Sequence, residues 1–142
     1  MDIHVSFPGG KRVDALVDGH VIRTDQPLSA GGEGSAPAPF DLFLASLGTC
    51  AGIYVLGFCQ ARGLPTSDIS LIEHVTKDPV TGLPSHVDIE LVLPPAIPER
   101  YHAALIRVAE QCKVKKVLAA PPVVAVTVAA PTSGAQAIGR HA

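Results

Sequence analysis

A chain of 142 residues is the size of one ordinary domain and can bury a core of its own. With 47% hydrophobic residues, 17% charged residues and a formal net charge of −2, it has the make-up of a globular protein. It has no basic footprint for nucleic acid and no broad attraction to an acidic membrane surface.

In chain order, the first 25 residues read as strands. Ile3, Val5 and Phe7 alternate with other residues, Pro8-Gly9-Gly10 turns the chain, and Val13, Ala15 and Val17 alternate again. Asp18-Gly19 is a hairpin signal, and Val21 and Ile22 begin a third strand. Residues 26–39 are rich in Pro and Gly with no apolar period, which predicts a loop.

Pro39 to Arg62 has a helical pattern. Pro39 suits the first helical position, Asp41 places negative charge in the first turn, and Gly63 and Pro65 end the run. The helix is apolar nearly all round, so it must be enclosed by its own sheet or by a second subunit. Its most apolar part, Phe40 to Cys59, is broken by Asp41, Ser46, Gly48, Thr49 and Gly52, so no membrane span is expected.

Two strands follow, near Ile69–Thr76 and His86–Leu93, joined by turn chemistry at Asp78-Pro79-Val80-Thr81-Gly82. Pro94, Pro95 and Pro98 lead into a second helix from Glu99 to about Gln111, with apolar residues three and four apart. Cys112 falls at its end, Lys113–Leu118 reads as a short basic turn, and Val123–Val128 as a last strand. The expected order is βββ–α–ββ–α–β: one α+β domain over 1–130 with a flexible tail over 131–142.

Cys50, Cys59 and Cys112 form no even framework and no C-x-x-C pair. Met1–Phe7 has no basic start, so no export signal is expected and the thiols are expected to be reduced in the cytoplasm. Cys50 and Cys59, nine residues apart on one helix, are separated by roughly 13 Å of rise, beyond the ~7 Å a disulfide allows between Cα atoms. Cys112 is the remaining partner for either. Small neighbours at Gly48-Thr49 leave room beside Cys50, whereas Cys59 sits between Phe58 and Gln60 and reads as core filler. A thiolate that attacks a peroxide becomes a sulfenic acid, which a second thiol converts to a disulfide. Lysines at 113, 115 and 116 read first as a solvated charge run, with favouring a thiolate at Cys112 as a second role. Inert buried thiols are the competing reading. The six histidines show no i, i+4 pair and Gly31-Gly32-Glu33-Gly34 lacks a phosphate-loop Lys, so neither a metal nor a nucleotide is expected.

The stretch from Ala36 to Cys50, with Pro39, Asp41 and a small-residue helix ending Gly48-Thr49-Cys50, resembles the OsmC/Ohr family. Ala109-Glu110-Gln111-Cys112 is similar to that family's second cysteine at the end of its later helix. The resemblance implies antiparallel sheets wrapped around the central helices of an intertwined homodimer. It also implies thiol-dependent reduction of organic hydroperoxides or hydrogen peroxide, with Cys50 attacking, Cys112 resolving, an external dithiol as reductant and no cofactor. Its basic and acidic supports map to Arg12, with Arg23 as second choice, and to Asp41. Phe40 stands where the acidic residue is expected, one position before Asp41, so an alternative remains: a binding or structural member with little turnover.

Overall fold

The computed structural model describes residues 1–129. β1 (Ile3–Gly9), β2 (Arg12–Val17) and β3 (His20–Ile22) form an antiparallel sheet in that order. Asp18 and Gly19 have φ of 47° and 83°, the pair of positive values a tight hairpin of the strands' own twist requires. The sheet pairs Ile3 with Val17 and Ala15 with Ile22. Every residue of β1 is exposed.

Residues 26–38 form the expected loop, with one short 3₁₀ turn at Leu28–Ala30. The loop is built around Asp25, whose buried carboxylate accepts the N–H groups of Gln26, Glu33 and Ser35 and the Ser35 hydroxyl.

α1 (Pro39–Gln60) begins with Pro39 at its first position. Asp41 Oδ2 accepts from the N–H of Ala38 at 3.3 Å, holding one of the free amides at the helix start. At the other end Gly63, with φ of 62°, lets its own N–H reach the Gln60 carbonyl and that of Leu64 reach the Cys59 carbonyl. Leu47, Ala51, Val55 and Cys59, spaced four apart, are its buried stripe. On length and composition α1 does qualify as a membrane span, contrary to the expectation: it has 22 residues, and an 18-residue window within it has a mean hydropathy of 1.9. Gly, Ser and Thr interrupt the run without adding charge, and Asp41 lies at its first turn. One stripe of the helix, the four buried residues, packs into the core of this chain.

β4 (Ser70–Lys77) and β5 (Pro84–Val92) form a second antiparallel sheet, with Glu73 opposite Ile89. A 3₁₀ turn at Glu99–Tyr101 leads into α2 (His102–Ala109), so the expected single helix is shorter and tighter at its entry. The core joins Ala51, Val55 and Cys59 of α1 to Ile97, Leu105, Ala109 and Cys112, with Leu71, Ile89 and Leu91 of the second sheet packed against it.

Two expectations near the end are corrected. Lys113–Leu118 is a helix rather than a turn: α3 spans Lys113–Ala119, since Lys, Val, Leu and Ala after the break at Cys112 suit a new helix. Residues 121–129 have no regular structure, and Val123–Val128 pairs with no strand among the described residues. Its sequence has the β pattern, but a strand exists only with a neighbour to bond to. The expected tail, 131–142, lies outside the described residues.

Candidate active site

Cys50 lies in the middle of α1 and is only half-buried. Cys112 is fully buried and occupies the break between α2 and α3, where φ of −44° and ψ of 125° turn the chain out of helical geometry. That break does two things. It points the Cys112 thiol at α1, where Sγ donates to the Leu47 carbonyl at 3.8 Å. It also turns the first free N–H groups of α3 toward Cys50.

The two thiols are pushed in opposite directions. Cys50 is held below the ordinary thiol value, first by the N–H of Val114, then by the Cys112 thiol as a hydrogen-bond donor, with the N–H and charge of Lys113 adding to this and partial burial opposing it. Cys112 is pushed up, chiefly by burial and further by its bond and proximity to Cys50. Of the two, Cys50 is therefore the thiol that gives up its proton more readily. The second role weighed for the lysine run, favouring a thiolate at Cys112, falls instead on Cys50, which the N–H and charge of Lys113 help to lower.

The structure brings Cys50 and Cys112 together and places the other candidates elsewhere. Arg12 Nε donates to the Gly9 carbonyl at 3.3 Å within its own hairpin. Arg23 is exposed at the end of β3. Asp41 caps the start of α1. Cys59 is fully buried and pushed up by that burial, as core filler should be. A hollow of about 380 Å³ lies beside the same turn of α1, walled by apolar residues such as Leu47, Ala51 and Ile89 together with the charged Asp88, Glu110 and Lys115, but Cys50 is not in its lining. Among the described residues no cluster of three His, Cys, Asp or Glu is arranged to hold a metal ion.

Three participants escaped the sequence reading. The Leu47 carbonyl and the Val114 N–H are backbone groups, which no residue type announces. Glu73 is the third. Its Oε2 accepts from the N–H of Gly48 at 3.1 Å, two residues before Cys50. The available signal was a charged residue on the inward-facing side of a strand, between Leu71 and Val75.

The family model of OsmC-like protein matches residues 32–127. The chain belongs to the OsmC-like family. Its fold is that of solved structures of low identity. A putative osmotic stress induced and detoxification response protein from Psychrobacter arcticus is 22% identical, with a TM-score of 0.69 over 80% of this chain and 85% of that one. An organic hydroperoxide resistance protein OsmC from Legionella pneumophila is 20% identical, with a TM-score of 0.53 over 84% and 88%. OhrB of Bacillus subtilis, an organic hydroperoxide resistance protein, is 21% identical, with a TM-score of 0.52 over 85% and 93%. No curated protein matches the sequence. The OsmC-like family includes peroxidase-like redox proteins.

Proposed function

We propose that this OsmC-like protein is a thiol-dependent peroxidase acting on organic hydroperoxides or hydrogen peroxide. One observation carries the reading: two cysteines from distant parts of the chain face each other, in surroundings that lower the Cys50 thiol from its ordinary value and raise that of Cys112. The Cys50 thiolate attacks the peroxide and takes one oxygen, leaving a sulfenic acid, and the alkoxide or hydroxide released takes up a proton. The Cys112 sulfur then bonds to that of Cys50, and the displaced hydroxide leaves with the Cys112 proton as water. An external dithiol reduces the disulfide and restores both thiols. Neither step draws on a cofactor, and a reducing cytoplasm suits the cycle.

The proposed working unit is a homodimer. Ile3, Val5 and Phe7 of β1 and the valines of 123–128 are exposed, and no second layer among the described residues covers them. In this arrangement Arg12, on a hairpin that makes no substantial contact with its own helices, serves the thiol of the other copy. The Asp41 charge stays at the helix start. A second reading, binding or structure with little turnover, draws on Arg12 and Asp41 both being engaged away from the sulfur.

The deciding experiment follows loss of cumene hydroperoxide with the protein and a dithiol reductant. Wild type consumes it and Cys50→Ser does not. Equal consumption by both overturns the peroxidase reading, and no consumption by wild type leaves the second reading.

A further inference from the structure

One peptide group of α1 is held from both ends. Its N–H, that of Gly48, donates to Glu73 Oε2 at 3.1 Å, and its C=O, that of Leu47, accepts from the Cys112 thiol at 3.8 Å. Glu73 reaches the helix from β4, and its second oxygen, Oε1, is sealed from solvent with no hydrogen-bond partner among the described residues. A carboxylate oxygen left bare in this way is costly, so its presence calls for a reason. The close approach depends on glycine: a Cβ at position 48 would stand 2.9 Å from Oε2.

We infer that Glu73 is a positioning residue of the thiol pair, acting through the Leu47–Gly48 peptide to keep the proton on Cys112 so that Cys50 alone takes the charge. A carboxylate bonded to the N–H of a peptide pushes electron density toward its carbonyl, which becomes a stronger acceptor for the Cys112 S–H. The same negative charge penalises a second thiolate nearby. The Cys112 proton has two acceptors, the Leu47 carbonyl and the Cys50 sulfur, and either keeps it on Cys112. The titratable groups around it are Cys50 from α1, Glu110 and Lys113 from the neighbouring ends of α2 and α3, and Glu73 behind the peptide. Of these, Glu73 is the one whose carboxylate acts through the acceptor itself. The inference rests on the proposed function for its purpose, since two adjacent thiolates would repel and leave no proton to depart with the displaced hydroxide.

Its test reads ionisation rather than turnover, so it fails or succeeds separately from the peroxidase reading. In a Cys50→Ser chain, iodoacetamide labelling of the Cys112 peptide is followed against pH by mass spectrometry. Glu73→Gln keeps the size and an acceptor for Gly48 but removes the charge, and is expected to raise the Cys112 thiolate fraction at a fixed pH about threefold, half a pK unit. Gly48→Ala, which displaces the carboxylate, moves the curve the same way, and Glu73→Asp restores part of it. Leu71→Ala on the same face of β4 loosens packing without touching the peptide, and leaves the curve in place. Unchanged curves in both Glu73→Gln and Gly48→Ala overturn the inference. So does an equal shift in Leu71→Ala, because loosening alone would then explain it.

Discussion

The Cys112 sulfur lies 3.8 Å from the carbonyl oxygen of Leu47, one helical turn before Cys50, so the break between α2 and α3 is docked directly on the cysteine-bearing part of α1. In the proposed peroxidase cycle, one equivalent of peroxide should therefore convert Cys50 and Cys112 to a disulfide and leave Cys59 free. Thiol titration should fall from three to one, and peptide mapping should find the crosslink. Cys112→Ser should stop at the sulfenic acid and, with excess peroxide, pass to the sulfinic acid. A crosslink between Cys59 and either other cysteine would contradict this geometry.

The opposite shifts of the two thiols have a sign that alkylation can read. A thiol held below its ordinary value has the larger thiolate fraction at any given pH, so Cys50 should react with iodoacetamide in a lower pH range than Cys112 and Cys59, both of which are pushed up. Lys113→Ala removes the nearby charge but keeps the N–H groups of Val114 and residue 113. It should slow Cys50 labelling near pH 7 by about two- to threefold, with the effect shrinking in high salt.

Much of this arrangement is legible in the sequence, and the rest is hidden for identifiable reasons. The hairpins are visible because Asp18-Gly19 and the Asp78–Gly82 turn carry their chemistry in the side chains. α1 is visible because Pro39, its apolar run and Gly63 mark both ends. Helical rise excludes a Cys50–Cys59 bond and leaves Cys112 as partner for either, and it is the resemblance to the OsmC/Ohr family that singles out Cys50. What stays hidden is mostly backbone. A lysine run reads as a solvated turn until Cys112 breaks the preceding helix and α3 starts beside α1. Val123–Val128 has a strand's residues, but whether it pairs depends on a neighbour the described residues do not supply. Arg12 and Asp41 are present as expected, yet their side chains answer local demands within this chain.

Asp25 is the organiser of the loop before α1, and its charge makes the loop acid-sensitive. Led by the Ser35 N–H, its hydrogen bonds hold its carboxyl down to about 2, against an ordinary 3.8. The folded value lies below the unfolded one, so its contribution to stability is complete above pH 4 and is lost as the pH falls through 2. Asp25→Asn should therefore lower the Tm at pH 7, and the gap to wild type should narrow between pH 4 and pH 2. A gap of constant size over that range would show that the charge is not what the loop uses.

The proposed dimer makes the last prediction. Val124, Val126 and Val128, spaced two apart as the residues of one strand face would be, are 84%, 95% and 98% exposed. Burying a valine is worth roughly 1.5–3 kcal/mol, so three left in water make a surface that a partner copy gains by covering. Phe7 on β1, 81% exposed, adds to it. Sedimentation should give the wild-type chain as a dimer. Val124→Lys together with Val126→Lys places two charges on the covered face, where like charges from the two copies are desolvated, and should shift the species toward monomer. A wild-type chain that sediments as a stable monomer at micromolar concentration would overturn the dimer, and a lysine variant that remains dimeric would remove 123–128 from its interface.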